Sequence, residues 1–283
     1  MIANYHTHTS RCGHAWGEDR EYAEKAAEAG LKTLGFSDHT PYDYFDSTPR
    51  NRPMRMKPEE LPDYAASVRA LAEAYRGRME ILLGVEAEYY PKYFPRLLEL
   101  LRENGLQYMI LGQHSLGNEI GEPYSGRAFP EPALLERYVS QCEEALDTGL
   151  FTYFAHPDLA FFTGSEEIYE RGMRRLCRAA LRTGTPLEIN LLGLRGGRNY
   201  PDERFWRIAA EEGCSAVLGC DAHRPEDLLN HESEQKARRM AAELGLPISN
   251  IRCGQTLDNL HNSDTVFDET ICSILEVART NYL

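Results

Sequence analysis

Ser215-Ala216-Val217-Leu218-Gly219-Cys220-Asp221-Ala222-His223 reads as a short apolar strand that breaks off into an acid and an imidazole. Gly213 stands just before it, where a preceding helix would end in a left-handed cap. Glycines 30, 105, 149 and 184 occupy the same station between a helical pattern and an apolar run. The helical patterns are clearest in Leu61, Tyr64, Ala65, Val68, Leu71, Ala72 and Tyr75, and in Leu134, Leu135, Tyr138, Val139, Cys142, Ala145 and Leu146, each set falling on one helix face. We read strands near Asn4–His6, Thr33–Ser37, Ile81–Glu86, Tyr108–Gln113, Thr152–Ala155, Leu187–Asn190 and Ser215–Cys220. Short, nearly continuous apolar strands alternating with helices predict a parallel sheet buried on both faces. Seven such units can close into an α/β barrel, and residues 1–283 are expected to form one domain.

Bulk composition narrows the function. The net charge of −13 argues against a broad surface for nucleic acid, whose affinity comes largely from Lys and Arg neutralising phosphates. A phosphate-bearing substrate would need local positive charge, which bound metal ions provide. No apolar run is long enough to span a membrane, and no basic stretch followed by an apolar one opens the chain, so a cytoplasmic location is expected. Cysteines 12, 142, 177, 214, 220, 253 and 272 are odd in number and form no C-x-x-C pair, which fits reduced thiols and argues against a thiolate metal cluster.

The chemistry follows the strands. His6 and His8, His39, Glu86, His114, His156, Asn190, and Asp221 with His223 each follow one of the seven strands. In a parallel barrel these ends converge on one face, so residues far apart in sequence meet in one cup. Imidazoles and carboxylates without cysteine suit Zn²⁺, Mn²⁺ or Fe²⁺. The set exceeds one tetrahedral site, so two to three divalent ions are implied, with Glu86 able to bridge a pair through its two oxygens. His6-Thr7-His8 places both imidazoles on one side of a strand, although alone that spacing is weak evidence. His14, in a glycine-flanked loop, reads either as a further ligand or as a loop residue, and His231 and His261 follow no strand.

These residues make the chain resemble the PHP (polymerase and histidinol phosphatase) family. The resemblance rests on His6-Thr7-His8 with His14, Phe36-Ser37-Asp38-His39, Gly84-Val85-Glu86, His114, His156-Pro157 and Gly219-Cys220-Asp221-Ala222-His223. It implies a distorted (βα)7 TIM-like barrel with a trinuclear metal centre. One ion would be held by His6, His8, Glu86 and Asp221, a second by Glu86, His114 and His156, and a third by His14, His39 and His223. Many members carry Asp where this chain has His14. Within the family, the branch acting on histidinol phosphate is the most similar, through Met54-Arg55-Met56, Glu59-Glu60-Leu61-Pro62-Asp63-Tyr64, Glu188-Ile189-Asn190, Gly193-Leu194-Arg195 and Tyr200-Pro201.

The expected reaction is hydrolysis of a small phosphate ester by a metal-bound hydroxide, with Glu86, Asp221 and His223 at the catalytic centre. Arg195 and Arg198, in a glycine-rich loop after the sixth strand, and Asn190 are the candidates for holding phosphate, the arginines being otherwise surface residues on a turn. The proline-rich stretch 40–58 reads as a lid whose aromatics could receive an imidazole. A nuclease of the same family should carry a basic groove or an added nucleic-acid-binding domain, and neither is evident. A module that has lost catalysis should show a broken ligand set, and this one is unbroken.

Overall fold

The computed structural model describes residues 1–41, 54–117, 122–249 and 251. Residues 42–53 of the expected lid, His261, Cys253 and Cys272 lie outside the described residues. In chain order the elements are β1 (Ala3–Asn4), α1 (Asp19–Glu28), β2 (Thr33–His39), α2 (Leu61–Ala74), β3 (Glu80–Ala87), α3 (Phe94–Glu103), β4 (Tyr108–Leu111), α4 (Pro132–Asp147), α5 (Glu166–Thr183), β5 (Leu187–Asn190), α6 (Leu191–Gly196), α7 (Glu203–Glu212), β6 (Ala216–Gly219) and α8 (His231–Leu244).

Every strand pairing is parallel. β1 to β4 form one sheet in sequence order, and β5 pairs with β6. Three single-residue bridges join these pieces. Phe154 bridges Leu111 on one side and Leu187 on the other, and Thr7 pairs with Ala222. At that seam the His8 amide donates to Ala222 O at 2.9 Å and the Ala222 amide donates to His6 O at 3.2 Å. The ring is thereby closed into a distorted barrel.

Four expected strands are shorter than read. β4 stops at Leu111 and β6 spans Ala216–Gly219. The stretch 152–155 makes its bridges only at Phe154, although the Thr152 and Ala155 amides donate to Met109 O and Leu111 O at 2.8 Å, and the chain turns out of the ladder at His156, φ 32°. The first strand ends at Asn4, and His6 to His8 serve the seam instead.

The core has two parts. Inside the barrel, Tyr5, Leu82, Tyr108, Ile110, Tyr153, Ala155 and Val217 pack together. Tyr108 spans this interior, its hydroxyl 2.8 Å from Tyr5 O and 2.9 Å from Phe36 O. Gly35 and Gly84 make that possible, since a Cβ at either would run into the Tyr108 side chain. Outside, the expected helix faces pack on the strands: Leu61, Tyr64, Ala65 and Val68 of α2, and Leu135, Tyr138, Val139 and Cys142 of α4, are buried. Each such fully buried large side chain contributes roughly 1.5–3 kcal/mol. Glycines 30, 105, 149, 184 and 213 all take positive φ, from 59° to 83°. The five described cysteines are buried and free. No helix among the described residues is long and apolar enough to cross a membrane.

Candidate metal centre

Two of the candidate ligands sit on a backbone that an L-residue rarely adopts, His156 at φ 32° and Asp221 at φ 49°. Such positions cost of order 1–3 kcal/mol each and persist where the surroundings over-determine them. Both lie where the chain leaves the barrel, and the strain turns their side chains into the cup.

Glu86 stands at its centre, fully buried. One carboxylate oxygen faces His6 Nε2 at 3.5 Å, His8 Nε2 at 3.5 Å and His39 Nδ1 at 3.1 Å. The other faces His156 Nε2 at 2.8 Å and His114 Nε2 at 3.6 Å. Asp221 lies across the seam, with Oδ1 3.7 Å from His6 Nε2, 3.2 Å from His8 Nε2 and 3.2 Å from His223 Nδ1. The rings of His39 and His223 lie 4.4 and 4.2 Å from that of His8. His14 joins at the outer edge, 4.7 Å from the His223 ring and 5.2 Å from His39. All nine side chains therefore share one cluster, within which His6–His8–Glu86, His8–His39–His223, His6–His156–Asp221 and His39–Glu86–His114 each bring three ligand atoms within 4.8 Å of one another.

A metal ion fits the donor set. His6 Nε2, His8 Nε2, His39 Nδ1, Glu86 Oε2 and Asp221 Oδ1 are buried and have no hydrogen-bond partner, although burying an unsatisfied polar atom is costly. At His6 and His114 the opposite ring nitrogen is tied down. His6 Nδ1 is 2.8 Å from Glu188 and His114 Nδ1 is 2.7 Å from Glu88, whereas His8 Nδ1 lies 3.5 Å from Asp38 without a hydrogen bond. A carboxylate holding one ring nitrogen as N–H leaves the other as a lone pair aimed at a metal.

Electrostatics record the same crowding. Burial alone would lower His6, but the carboxylates of Glu188, Asp221 and Glu86 outweigh it and push it up to about 10. Burial would raise Glu86 and Asp221, yet the surrounding imidazoles hold both well below the usual carboxylate range. Burial and the neighbouring His223 and His8 pull His14 down to about 4.

Three supporting residues escaped the sequence reading: Glu188, Glu88 and Asp38. Glu188 also accepts from the His156 amide at 3.0 Å and from Asn190 Nδ2 at 2.9 Å. Glu88 is gripped through both oxygens by buried Arg55, each contact 2.7 Å. The available signal was spacing: Glu88 lies two residues beyond Glu86 and Glu188 two before Asn190, so each shares an inward-facing strand register. Two glycines make room, since a Cβ at Gly112 would overlap the Glu86 carboxylate and one at Gly219 the Glu188 carboxylate.

The expected phosphate binders divide. Asn190 departs from that role. Its Oδ1 caps α6 by accepting from the Gly193 amide at 3.1 Å, and its Nδ2 donates to Glu188 and, at 3.0 Å, to Asp221. Arg195 is engaged with backbone, donating to Cys220 O and Asp221 O, each at 2.6 Å, and pairing with Asp227 at 3.1 Å. Arg198 donates to the Tyr200 hydroxyl at 2.9 Å and lines the cavity above the cluster. That cavity is about 450 Å³ and is also lined by Trp16, Met54, Tyr124 and Arg224. A larger one of about 540 Å³ opens at the other end of the barrel, where Tyr5, Tyr153 and Val217 line it and no candidate ligand does.

Comparison with known proteins agrees with this geometry. A protein of Deinococcus radiodurans named "Probable histidinol-phosphatase" is 33% identical over 236 residues, covering 80% of this chain and 88% of its own. The histidinol-phosphatase of Bacillus subtilis is 26% identical over 252 residues, covering 79% of this chain and 94% of its own. Histidinol phosphate phosphatase of Lactococcus lactis, solved with Zn, L-histidinol and phosphate, superimposes with a TM-score of 0.68 at 18% identity, covering 87% of this chain and 95% of its own. With the PHP domain model matching residues 4–191, which span β1 to β5 and most of the cluster, the chain belongs to the PHP domain family.

Proposed function

We propose that this chain is a metal-dependent phosphatase that hydrolyses L-histidinol phosphate to L-histidinol and phosphate, using two to three divalent ions of the Zn, Mn or Fe type. The observation that carries the reading is Glu86, whose two oxygens face separate groups of imidazoles beneath a cavity of small-molecule size. The names of the relatives supply the substrate. Bound ions supply Lewis acidity, lowering the pKa of water and neutralising phosphoryl oxygens. His6, His8, Glu86 and Asp221 would hold one ion, Glu86, His114 and His156 a second, and His14, His39 and His223 a third.

The chain's own groups do the rest. Glu188 and Glu88 fix the tautomers of His6 and His114. Arg195 anchors the backbone of Asp221, and Arg198 offers its remaining N–H groups to phosphoryl oxygens entering the cavity. The packed barrel interior below, from Tyr5 to Tyr108, keeps water out from that side. The test is a substrate panel on protein loaded with Mn²⁺, Zn²⁺ or Fe²⁺, in which phosphate release from L-histidinol phosphate is expected to exceed that from nucleotides and oligonucleotides. Equal rates on all three would remove the assignment.

A further inference from the structure

Among the described residues the large apolar side chains left exposed are Ile2, Trp16, Met54, Tyr124, Phe161 and Leu181. Scattered singly, such residues need no explanation. Here Trp16, Met54 and Tyr124 line the one cavity that sits over the metal cluster.

Trp16 is the most telling of them. Its backbone is held at both ends, the amide donating to His223 O at 2.9 Å and the carbonyl accepting from the Tyr22 hydroxyl at 2.8 Å. Its indole is nonetheless 58% exposed. The Arg224 guanidinium lies over the ring, 5.0 Å from its centroid, so one face carries a cation–π contact while much of the residue stays open to solvent. Tyr124, 44% exposed, is placed by the pairing of its backbone with Ser115, the residue after His114. Trp16 follows β1 and Tyr124 follows β4, so three parallel pairings around the ring separate their strands. Both side chains nonetheless line the same cavity.

Resting on the proposed phosphatase reading, we propose that Trp16 and Tyr124 are specificity-determining residues that clasp a heteroaromatic ring on the leaving alcohol, with Met54 packing beside it. Aromatic faces receive flat rings by stacking, and a protonated imidazole by cation–π attraction. The adaptable Met54 thioether fills what the ring leaves. The phosphoryl end then reaches Arg198 and the cluster while the ring stays at the rim.

The test compares L-histidinol phosphate with L-alaninol phosphate, which keeps the amino alcohol and phosphate but lacks the ring. In the wild-type protein the first is expected to have the higher kcat/KM. In Trp16→Ala and in Tyr124→Ala that ratio is expected to fall on the order of 10-fold or more, with metal per chain unchanged and with Trp16→Phe restoring much of it. An unchanged ratio in both alanine variants, or equal losses on both substrates, overturns the clasp. A binding measurement separates this from the substrate assignment. Trp206 is buried and Trp16 exposed, so L-histidinol is expected to change the fluorescence of wild-type protein far more than L-alaninol does, and to lose that effect in Trp16→Phe. If the chain hydrolyses a different phosphomonoester but this difference holds, the clasp stands and the substrate reading falls. If L-histidinol phosphate is the substrate and the two alcohols act alike, the reverse follows.

Discussion

Gly112→Ala should empty the metal centre without disturbing the fold. The added Cβ would stand 2.5 Å from Glu86 Cδ and 2.6 Å from Cγ, whereas ordinary contact begins at 3.4 Å. The carboxylate, whose Oε1 lies closer still, must therefore move by at least about 0.9 Å, several times the roughly ±0.2 Å that metal–ligand distances tolerate. Gly112 has no positive φ, so the alanine carries no backbone strain and the cost falls on the side chain it meets. A misplacement near 1 Å at a reacting centre loses about 10²-fold in turnover, and kcat/KM should drop on that order. Gly30→Ala is the control. Its φ of 78° makes alanine strained, by about 1–2 kcal/mol, but nothing lies within 4 Å of the new Cβ. It should lower Tm by a few degrees and leave metal content alone. Metal per chain by elemental analysis, kcat/KM on L-histidinol phosphate and Tm by calorimetry separate the two variants. Wild-type metal and turnover in Gly112→Ala would refute the placement of Glu86 at the centre.

Glu188→Gln should weaken metal binding 10- to 100-fold, read by chelator competition, because His6 loses the carboxylate that orients it. Arg198→Ala should raise KM and the inhibition constant for inorganic phosphate, whereas Arg195→Ala should lower Tm and metal retention, since Arg195 holds the carbonyls of Cys220 and Asp221. Chelation should abolish turnover and Mn²⁺, Zn²⁺ or Fe²⁺ restore it, with His223→Ala and Glu86→Gln impaired in both metal content and rate and His231→Ala, exposed at the start of α8, normal in both. Arg178 and Arg174 hold Glu212 below its ordinary 4.5, so its contribution is present above that pH and lost as pH falls through the lower folded value. Glu212→Gln should therefore lower Tm by about 1–3 °C at pH 7 and by progressively less as pH falls through the lowered folded value, checked by scanning calorimetry.

The clustered residues were legible because a parallel barrel converts chain order into convergence: one polar residue after each apolar run suffices to bring His6 and His223 into one cluster. Glu188 and Glu88 were not, because an inward-facing acid in a strand differs from an exposed one only by what it meets. Their strand register marked them, but their partners, His6 and His114, come from other strands. Asn190 and Arg195 show the same limit. Their residue types suit phosphate, and only the fold reveals that Gly193, Asp221 and Cys220 already engage them. The fifth expected strand has a strand's composition and its hydrogen bonds, but it leaves the ladder at His156 and makes its bridges only at Phe154.

The barrel seam gives the centre a mechanical duty. Thr7 pairs with Ala222 there, and Asn4 accepts from the Cys220 amide at 2.8 Å across 216 positions of chain. His6 and His8 stand on one bank of that seam and Asp221 and His223 on the other. Ions bound between them would rivet the first strand to the last, cross-linking a loop that runs through most of the chain, as a disulfide would in an oxidising compartment. A nascent chain could not complete the ligand set until residue 223 had emerged and the ring had shut. Catalytic competence would thus mark the last event of assembly, and loss of metal would loosen the barrel first along this line.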